Sequence, residues 1–479
     1  MRPKFIFLTF LISIAQLLVL KLKFPFPALT GDSDNYILAA SEKMGANIWP
    51  IGYSLFLRLV GWFSRSANFL VFVQVMMYAF CAIQLFSLMN NELRLNRTGR
   101  VLLYIILFCN PLVLLLNNLI MSDGVFLSLS IIWFVGVLTI FNQKKSVWFF
   151  IVHSFLVLVL FTFRYQAIIY PAISILVVVF FSKNRIWERM LFSCIVMIIF
   201  SSFILYTIAQ NGKYTGVRQF SVFPGWQVAN NALIAYAHVS PERRASTKLP
   251  PEFSNLHQYV NHYIDSTLRK PGHYDSILST AYLWRDFSPL RKYVNDEIKY
   301  NHEPALKNYI TMSKISDFYD DYGKRIIKQY PGEYLGFYIV ENAKYYVIPP
   351  TEVLMQYRAS SITPIERKWF YDTDWSKDKF DDLYDYSLEF INLFNIPILI
   401  LFLGTTMVFL SELRNANKFL RVYFLISWVI IIANFFFLLL TTPIVLRYLI
   451  FNQIIEMIFI IYVISSVLKQ PSKINIDAI

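Results

Sequence analysis

The chain opens on Phe5-Ile6-Phe7-Leu8-Thr9-Phe10-Leu11-Ile12-Ser13-Ile14-Ala15-Gln16-Leu17-Leu18-Val19-Leu20, breaks at Phe24-Pro25-Phe26-Pro27, and then presents Gly31-Asp32-Ser33-Asp34-Asn35-Tyr36. The apolar run lies in a stretch near 4 to 22, enough helix to cross about 30 Å of hydrocarbon. Two prolines end it, because proline donates no amide hydrogen bond and restrains the residue before it. Two carboxylates two residues apart follow at once. On the non-cytoplasmic side, beside a cavity in a helix bundle, such groups serve as a general base or hold a cation. Arg2 and Lys4 before the run resemble the start of a signal peptide. No small-x-small cleavage pattern follows, so a retained helix is expected.

The rest of the chain repeats the apolar theme. Of 479 residues, 56% are hydrophobic and 18% aromatic, which excludes an ordinary soluble domain and a disordered one. Further apolar runs lie near 67 to 88, 101 to 117, 124 to 142, 147 to 163, 166 to 182, 189 to 210, 388 to 410, 421 to 440 and 444 to 467. The expected fold is all-α, a polytopic integral membrane protein of about ten transmembrane helices. If the spans alternate, Arg2 and Lys4, then Arg94, Arg97 and Arg100, then Lys144 and Lys145, then Lys183, Arg185 and Arg189, then Arg414, Lys418 and Arg421, and finally Lys469 and Lys473 share one side. Basic short loops stay in the cytoplasm, so both termini are expected there. The other side carries a first loop from about 23 to 66 and one long insertion from about 211 to 387. The chain thus divides into a seven-helix module (1–210), an external and mostly helical insertion (211–387) and a three-helix module (388–479). The net charge of +13 is mostly this topology signal, and no nucleic-acid partner is expected. Cys81, Cys109 and Cys194 fall in the spans, and the only clear Asn-x-Ser/Thr site, Asn96-Arg97-Thr98, is on the cytoplasmic side. A long external domain without disulfides or glycans suits a bacterial inner (plasma) membrane, with the insertion in the periplasm.

Within the first loop, Ile37, Leu38, Ala40 and Met44 alternate with polar residues as in a short interfacial helix capped by Asp32 or Ser33. Gly45, Asn47 and Pro50 then form a turn, and Ile51 to Phe63 forms a second interfacial helix. This arrangement, with Tyr36 four positions beyond Asp32, Ala39-Ala40, and Pro50-Ile51-Gly52-Tyr53-Ser54-Leu55-Phe56-Leu57, resembles the first external loop of the GT-C membrane glycosyltransferases. The nearest group is the bacterial relatives of protein O-mannosyltransferases and lipid A aminoarabinose transferases. Asn110-Pro111 leading into Met121-Ser122-Asp123-Gly124-Val125-Phe126 is similar to the start of that family's fourth span. Arg164-Tyr165 and Arg447-Tyr448 sit at external helix ends, where basic residues recur in the family. The resemblance covers the membrane half and not the interior of the insertion.

The resemblance implies an inverting transfer: a first-loop carboxylate activates an acceptor hydroxyl, which attacks the anomeric carbon of a sugar carried on a polyprenyl phosphate. Asp32 is the first choice of base and Asp34 the second, since spacing alone does not say which points inward. The competing role for Asp32 is a helix cap. A literal Asp-x-Asp also suits a divalent cation, Mg or Mn, although the pattern is common by chance. Asp123, with Tyr36, is a candidate for holding acceptor or metal, or else caps its helix. Arg164 and Arg447 are candidates for the donor phosphate, because the guanidinium fork matches phosphate oxygens; snorkelling to lipid headgroups is the alternative. Lys21 and Lys23 are expected to anchor the first helix at the interface.

In the insertion, Gln227, Asn230 and Asn231 interrupt an apolar run, as in a packed surface helix with satisfied amides or a site for sugar hydroxyls. The five-residue gap between His257 and His262 does not put them on one helix face, and these two with His273 and His302 are expected to be solvated. Tyr334 to Tyr346 is an aromatic interfacial segment, and Asp372, Asp374, Asp378, Asp381 and Asp382 form a solvated acidic run. No Walker-type loop, dinucleotide fingerprint, zinc-protease motif or Gly-x-Ser-x-Gly elbow occurs. Two rival functions remain: an O-antigen polymerase or ligase, which would lean on external arginines, and a lipid or sugar transporter, against which stands the lack of a visible internal repeat.

Overall fold

The computed structural model describes residues 3–268, 280–297, 304–354, 356–357, 363–371, 383–384, 391–414 and 416–467. Helices make up nearly all of this; the strands Gln356–Tyr357 and Leu383–Tyr384 pair antiparallel. In order, the membrane half begins with α1 (Pro3–Lys23), α2 (Ser33–Ser41), α3 (Gly52–Gly61), α4 (Ala67–Leu93), α5 (Arg97–Phe108), α6 (Pro111–Asn117), α7 (Ser122–Ile140), α8 (Val147–Phe163), α9 (Ile169–Phe181) and α10 (Ile186–Thr215). It is completed by Asn395–Glu412, Lys418–Thr441 and Leu446–Val467. Eight described helices are long and apolar enough to cross a membrane, and Val147–Phe163 and Tyr165–Phe181 are shorter apolar helices. An integral membrane protein follows from these helices.

Helix starts are where the sequence supplies a cap. Ser66, Asn96, Ser146 and Asn417 each accept a hydrogen bond from a backbone amide three residues on, at 3.1, 2.7, 3.2 and 2.8 Å. Asn110 does the same for Leu112 at 3.0 Å with Pro111 behind it, so the third apolar run is broken into α5 and α6. The last helix, Leu446–Val467, is the hub of the bundle and is buried along most of its length, whereas α1 is largely exposed. Exposed Phe7, Leu11, Leu18 and Leu22 on α1, and Ile198 and Leu205 on α10, face outward, as suits lipid. At 30 residues α10 is roughly 45 Å long, so it outruns the hydrocarbon and reaches the helix Pro304–Gln329 of the insertion.

One expectation changes. The first loop does contain two helices, but α2 is no surface helix: every residue from Asn35 to Ala40 is buried. Its cover is the insertion, whose core packs Trp226, Tyr319, Tyr322 and Tyr338 together with Leu38, Ala39, Met44, Ile48 and Ile51 of the first loop. The insertion and the first loop therefore share one core. Within it the helix Pro224–Tyr236 lies so close to Pro304–Gln329 that a Cβ on Gly225 would come within 1.8 Å of the Ser316 carbonyl oxygen. Of the two first-loop helices α3 is the one with an exposed apolar face, through Leu55 and Leu59, continued by Trp62 and Phe63 just beyond its end.

Candidate functional site

Three chain segments that are far apart in sequence meet at one end of the bundle. After α1, Ala28 pairs in parallel with the stretch that leads into α7: Ala28 N–H donates to the Asn118 carbonyl and Ile120 N–H to the Ala28 carbonyl, both at 3.0 Å. Ser33 Oγ donates to the Ile120 carbonyl at 2.9 Å, and the Tyr36 hydroxyl lies 3.1 Å from Ser122 Oγ. These bonds bring the first turn of α2 beside the first turn of α7. Buried Gln74 on α4 holds the α6–α7 break from below, donating to the Asn117 carbonyl at 2.7 Å and accepting from the Tyr53 hydroxyl at 2.8 Å. The third segment is the start of Leu446–Val467. Asn342, fully buried, pins the turn before it, donating to the Thr442 carbonyl at 2.9 Å and accepting from Ile444 N–H at 2.8 Å.

The charged groups delivered there form a network. Arg164, at the C-terminus of α8, is ion-paired and hydrogen-bonded to Asp123 and lies over the Tyr448 ring at 4.6 Å. Arg447 reaches the other Asp123 oxygen at 3.6 Å, Glu352 at 3.5 Å and the Tyr448 hydroxyl at 3.1 Å. Both arginine side chains are largely buried, at 18% and 10% exposure, so neither is snorkelling to headgroups. Asp123 occupies the first turn of α7, yet its side chain is spent on the guanidinium groups and not on a cap.

Asp32 stands at the N-cap position of α2 and makes no capping hydrogen bond. Among the described residues no cation lies within ion-pairing distance of it, although it feels this network. Burial pushes its carboxyl up to about 6; Arg447 pulls against that, Asp123 adds to it, Arg164 opposes, and Glu352 raises it further. Tyr36 is also raised above its ordinary value, first by burial and then by the Asp32 charge.

Asp34 is set apart from this group. Its Oδ1 accepts from Thr363 Oγ1 at 2.6 Å, and Thr363 caps the helix Pro364–Trp369, whose Glu366 accepts from Thr363 N–H at 2.8 Å. Burial first, and the Asp34 charge second, hold Glu366 above the usual carboxylate range. The same segment packs Trp369 under Arg65, 4.7 Å from guanidinium carbon to ring, and joins Tyr371 to Ser64 at 2.9 Å. Asp34 therefore fastens the insertion to the first loop.

Other sequence candidates resolve as follows. Gln227 donates to Asn231 at 2.8 Å, and Asn231 to the Thr441 carbonyl at 3.3 Å, inside the packed helix Pro224–Tyr236. His257 is not solvated: it sits between the Tyr322 and Tyr236 hydroxyls at 3.0 and 3.3 Å, and burial lowers it to about 4. His262 is exposed, while His273, His302, Asp372, Asp374, Asp378, Asp381 and Asp382 lie outside the described residues. Lys21 donates to Asn118 Oδ1 at 2.7 Å and so helps hold the α6–α7 break. No group of three His, Cys, Asp or Glu side chains converges among the described residues. Glu352, Asn342 and Gln74 were not among the sequence candidates; an intramembrane glutamine was the one available signal. Compared with protein-family models, with curated proteins and with solved structures, the chain finds no match.

Proposed function

We propose that this chain is an inverting glycosyltransferase that moves a sugar from a polyprenyl phosphate to a hydroxyl acceptor, lipid, glycan or protein, on the external leaflet. The observation that carries the reading is a half-buried carboxylate, Asp32, with no ion-pair partner among the described residues, within electrostatic reach of two largely buried arginines, Arg164 and Arg447. A base poised near 6 is ionised at neutral pH and still has useful affinity for the proton of an incoming alcohol. As Asp32 takes that proton, the alcohol oxygen attacks the anomeric carbon from the face opposite the leaving group. The carbon–oxygen bond to phosphate breaks, and the released phosphate gathers charge that the guanidinium groups stabilise. Asp123 keeps the two arginines in register, and Tyr36 packs beside the base. No step in this scheme passes through a metal.

The topology that goes with this reading has ten spans, Val147–Phe163 and Tyr165–Phe181 among them, cytoplasmic termini, and the insertion in the periplasm of a bacterial inner membrane. Nucleotide sugars are cytoplasmic, so a site on the far side calls for a lipid-linked donor. The test is transfer of label from a radiolabelled polyprenyl-phosphate sugar in membranes carrying the parent, Asp32→Asn, Asp34→Asn or Arg164→Gln. Transfer should fall at least a hundredfold in Asp32→Asn and only a few-fold in Asp34→Asn. Equal turnover in the parent and Asp32→Asn defeats the reading; loss confined to Arg164→Gln points to an arginine-based polymerase or ligase.

A further inference from the structure

Glu352 is the one member of the network whose backbone is out of the ordinary. It adopts the left-handed region, φ 45°, which residues with a side chain rarely occupy unless their surroundings impose it. The surroundings here are specific: Pro349-Pro350 precede it, the Pro350 carbonyl accepts from Leu446 N–H at 2.9 Å, and Leu354 N–H closes back on the Thr351 carbonyl at 3.2 Å. The turn is thus fixed to the residue beside Arg447, and it aims a carboxylate at that arginine. Every cationic group of the site is already opposed by an acid. Arg164 belongs to Asp123, while Arg447 is shared between Asp123 and Glu352 and keeps a buried Nε with no hydrogen-bond partner. A phosphate can bind there only by taking an acid's place.

The two acids differ in how readily they yield. Asp123 is 3% exposed, bonded to Arg164 and rooted in α7. Glu352 is 33% exposed and 3.5 Å from Arg447, an ion pair and not a hydrogen bond. We propose that Glu352 is a built-in counter-ion that the phosphate of the donor displaces from Arg447, so that it sets the affinity and selectivity of the site for a phosphate monoanion or dianion. The inference rests on the reading of Arg447 as the phosphate group's partner. It makes Glu352 a specificity-determining residue: weakly basic anions fail to dislodge it, and a phosphate ester with two oxygens for the guanidinium fork succeeds.

The test is calorimetric titration of the full chain in a non-ionic detergent with farnesyl phosphate and, separately, inorganic phosphate. Parent, Glu352→Gln, Glu352→Gly, Arg447→Gln and the Glu352→Gln/Arg447→Gln double variant are compared. Glycine accepts the left-handed backbone, so it removes the carboxylate without disturbing the turn. Farnesyl phosphate should bind about tenfold more tightly to both Glu352 variants than to the parent, more weakly to Arg447→Gln, and with no gain in the double variant. A gain for both probes identifies bare phosphate as the recognised group; a gain for farnesyl phosphate alone adds the prenyl chain; either supports the exchange. Unchanged or weaker binding in both Glu352 variants, with binding still lost in Arg447→Gln, overturns the inference and leaves the phosphate reading standing. Equal binding in the parent and Arg447→Gln removes that reading itself, and this inference with it.

Discussion

Replacing Asp32 with asparagine should stabilise the protein while it inactivates it. The reasoning is linkage. Burial raises the Asp32 carboxyl from an ordinary 3.8 to about 6, so the folded state holds that proton more tightly than the unfolded chain does. Stability contributed by the protonated form is complete below 3.8 and is lost as pH rises through about 6. Above that, the ionised group costs at most about 3 kcal/mol, at 1.36 kcal/mol for each pH unit. Asparagine keeps the shape and carries no charge. The groups that act on Asp32 electrostatically are Arg447, Asp123, Arg164 and Glu352, with Tyr36 responding to it, and of these the two arginines already offset part of the cost. Unfolding of parent and variant in detergent, followed by tryptophan fluorescence from acid to mildly alkaline pH, should show coincident curves at the acid end. The variant should gain from about pH 4 upward and reach its full advantage above about pH 7. A variant that is less stable at neutral pH, or a difference independent of pH, would mean that Asp32 is held by its partners and not strained by burial; the case for a poised base would then fail.

The remaining predictions concern the same region. In the parent, transfer should rise about tenfold between pH 5 and 7, where an unperturbed carboxylate would give an almost flat profile; a flat profile counts against Asp32 as the base. Glu366 is raised to about 8, so the clasp it forms with Asp34 should weaken as pH climbs from 4.5 through that value; Glu366→Gln should abolish this loss, read as protease resistance of the 363–371 segment. Gly52→Ala should cost about 1–3 kcal/mol and lower transfer, because its Cβ would sit 2.7 Å from the Thr162 carbonyl carbon and push α3 away from the end of α8 that carries Arg164. Asn342→Ala leaves Ile444 N–H and the Thr442 carbonyl without their partner; it should cost about 2–3 kcal/mol and raise the donor KM through the Arg447 turn, with the pH profile unmoved.

How much of this was written in the chain depends on the range of the interaction that decides each point. The membrane helices are legible because each is settled by its own twenty residues: an apolar run, a cap such as Asn96 or Ser146, and a break such as Asn110-Pro111. The paired arginines are legible only as candidates, since a cation at a helix end can also snorkel to headgroups, and it is their burial against Asp123 that separates the two readings. The choice between Asp32 and Asp34 was half legible. Residues two apart on a helix point roughly 200° away from each other, so both could not face one site, but which faced inward was set by Thr363 and Glu366, more than three hundred residues on. The burial of α2 was hidden for the same reason, because its cover comes from Trp226, Tyr319 and Tyr338 of the insertion.

Glu352 is the clearest case of what local pattern misses. By sequence it is one acid among many in a charged region; only the pairing of Leu446 with Pro350 puts it opposite Arg447. The same contact gives it a physical role, because a carboxylate beside a buried arginine changes what that arginine can bind. A site built from Asp32, Asp123, Arg164 and Arg447 alone would carry two acids and two bases and would leave Arg447 half open. Adding Glu352 closes that opening with a group that is partly exposed, strained in its backbone and just beyond hydrogen-bond range. On the proposed function, a site whose own counter-ion is its least secure member is suited to taking in a charged group and letting it go, as a transferase that released a lipid phosphate at every turnover would have to do.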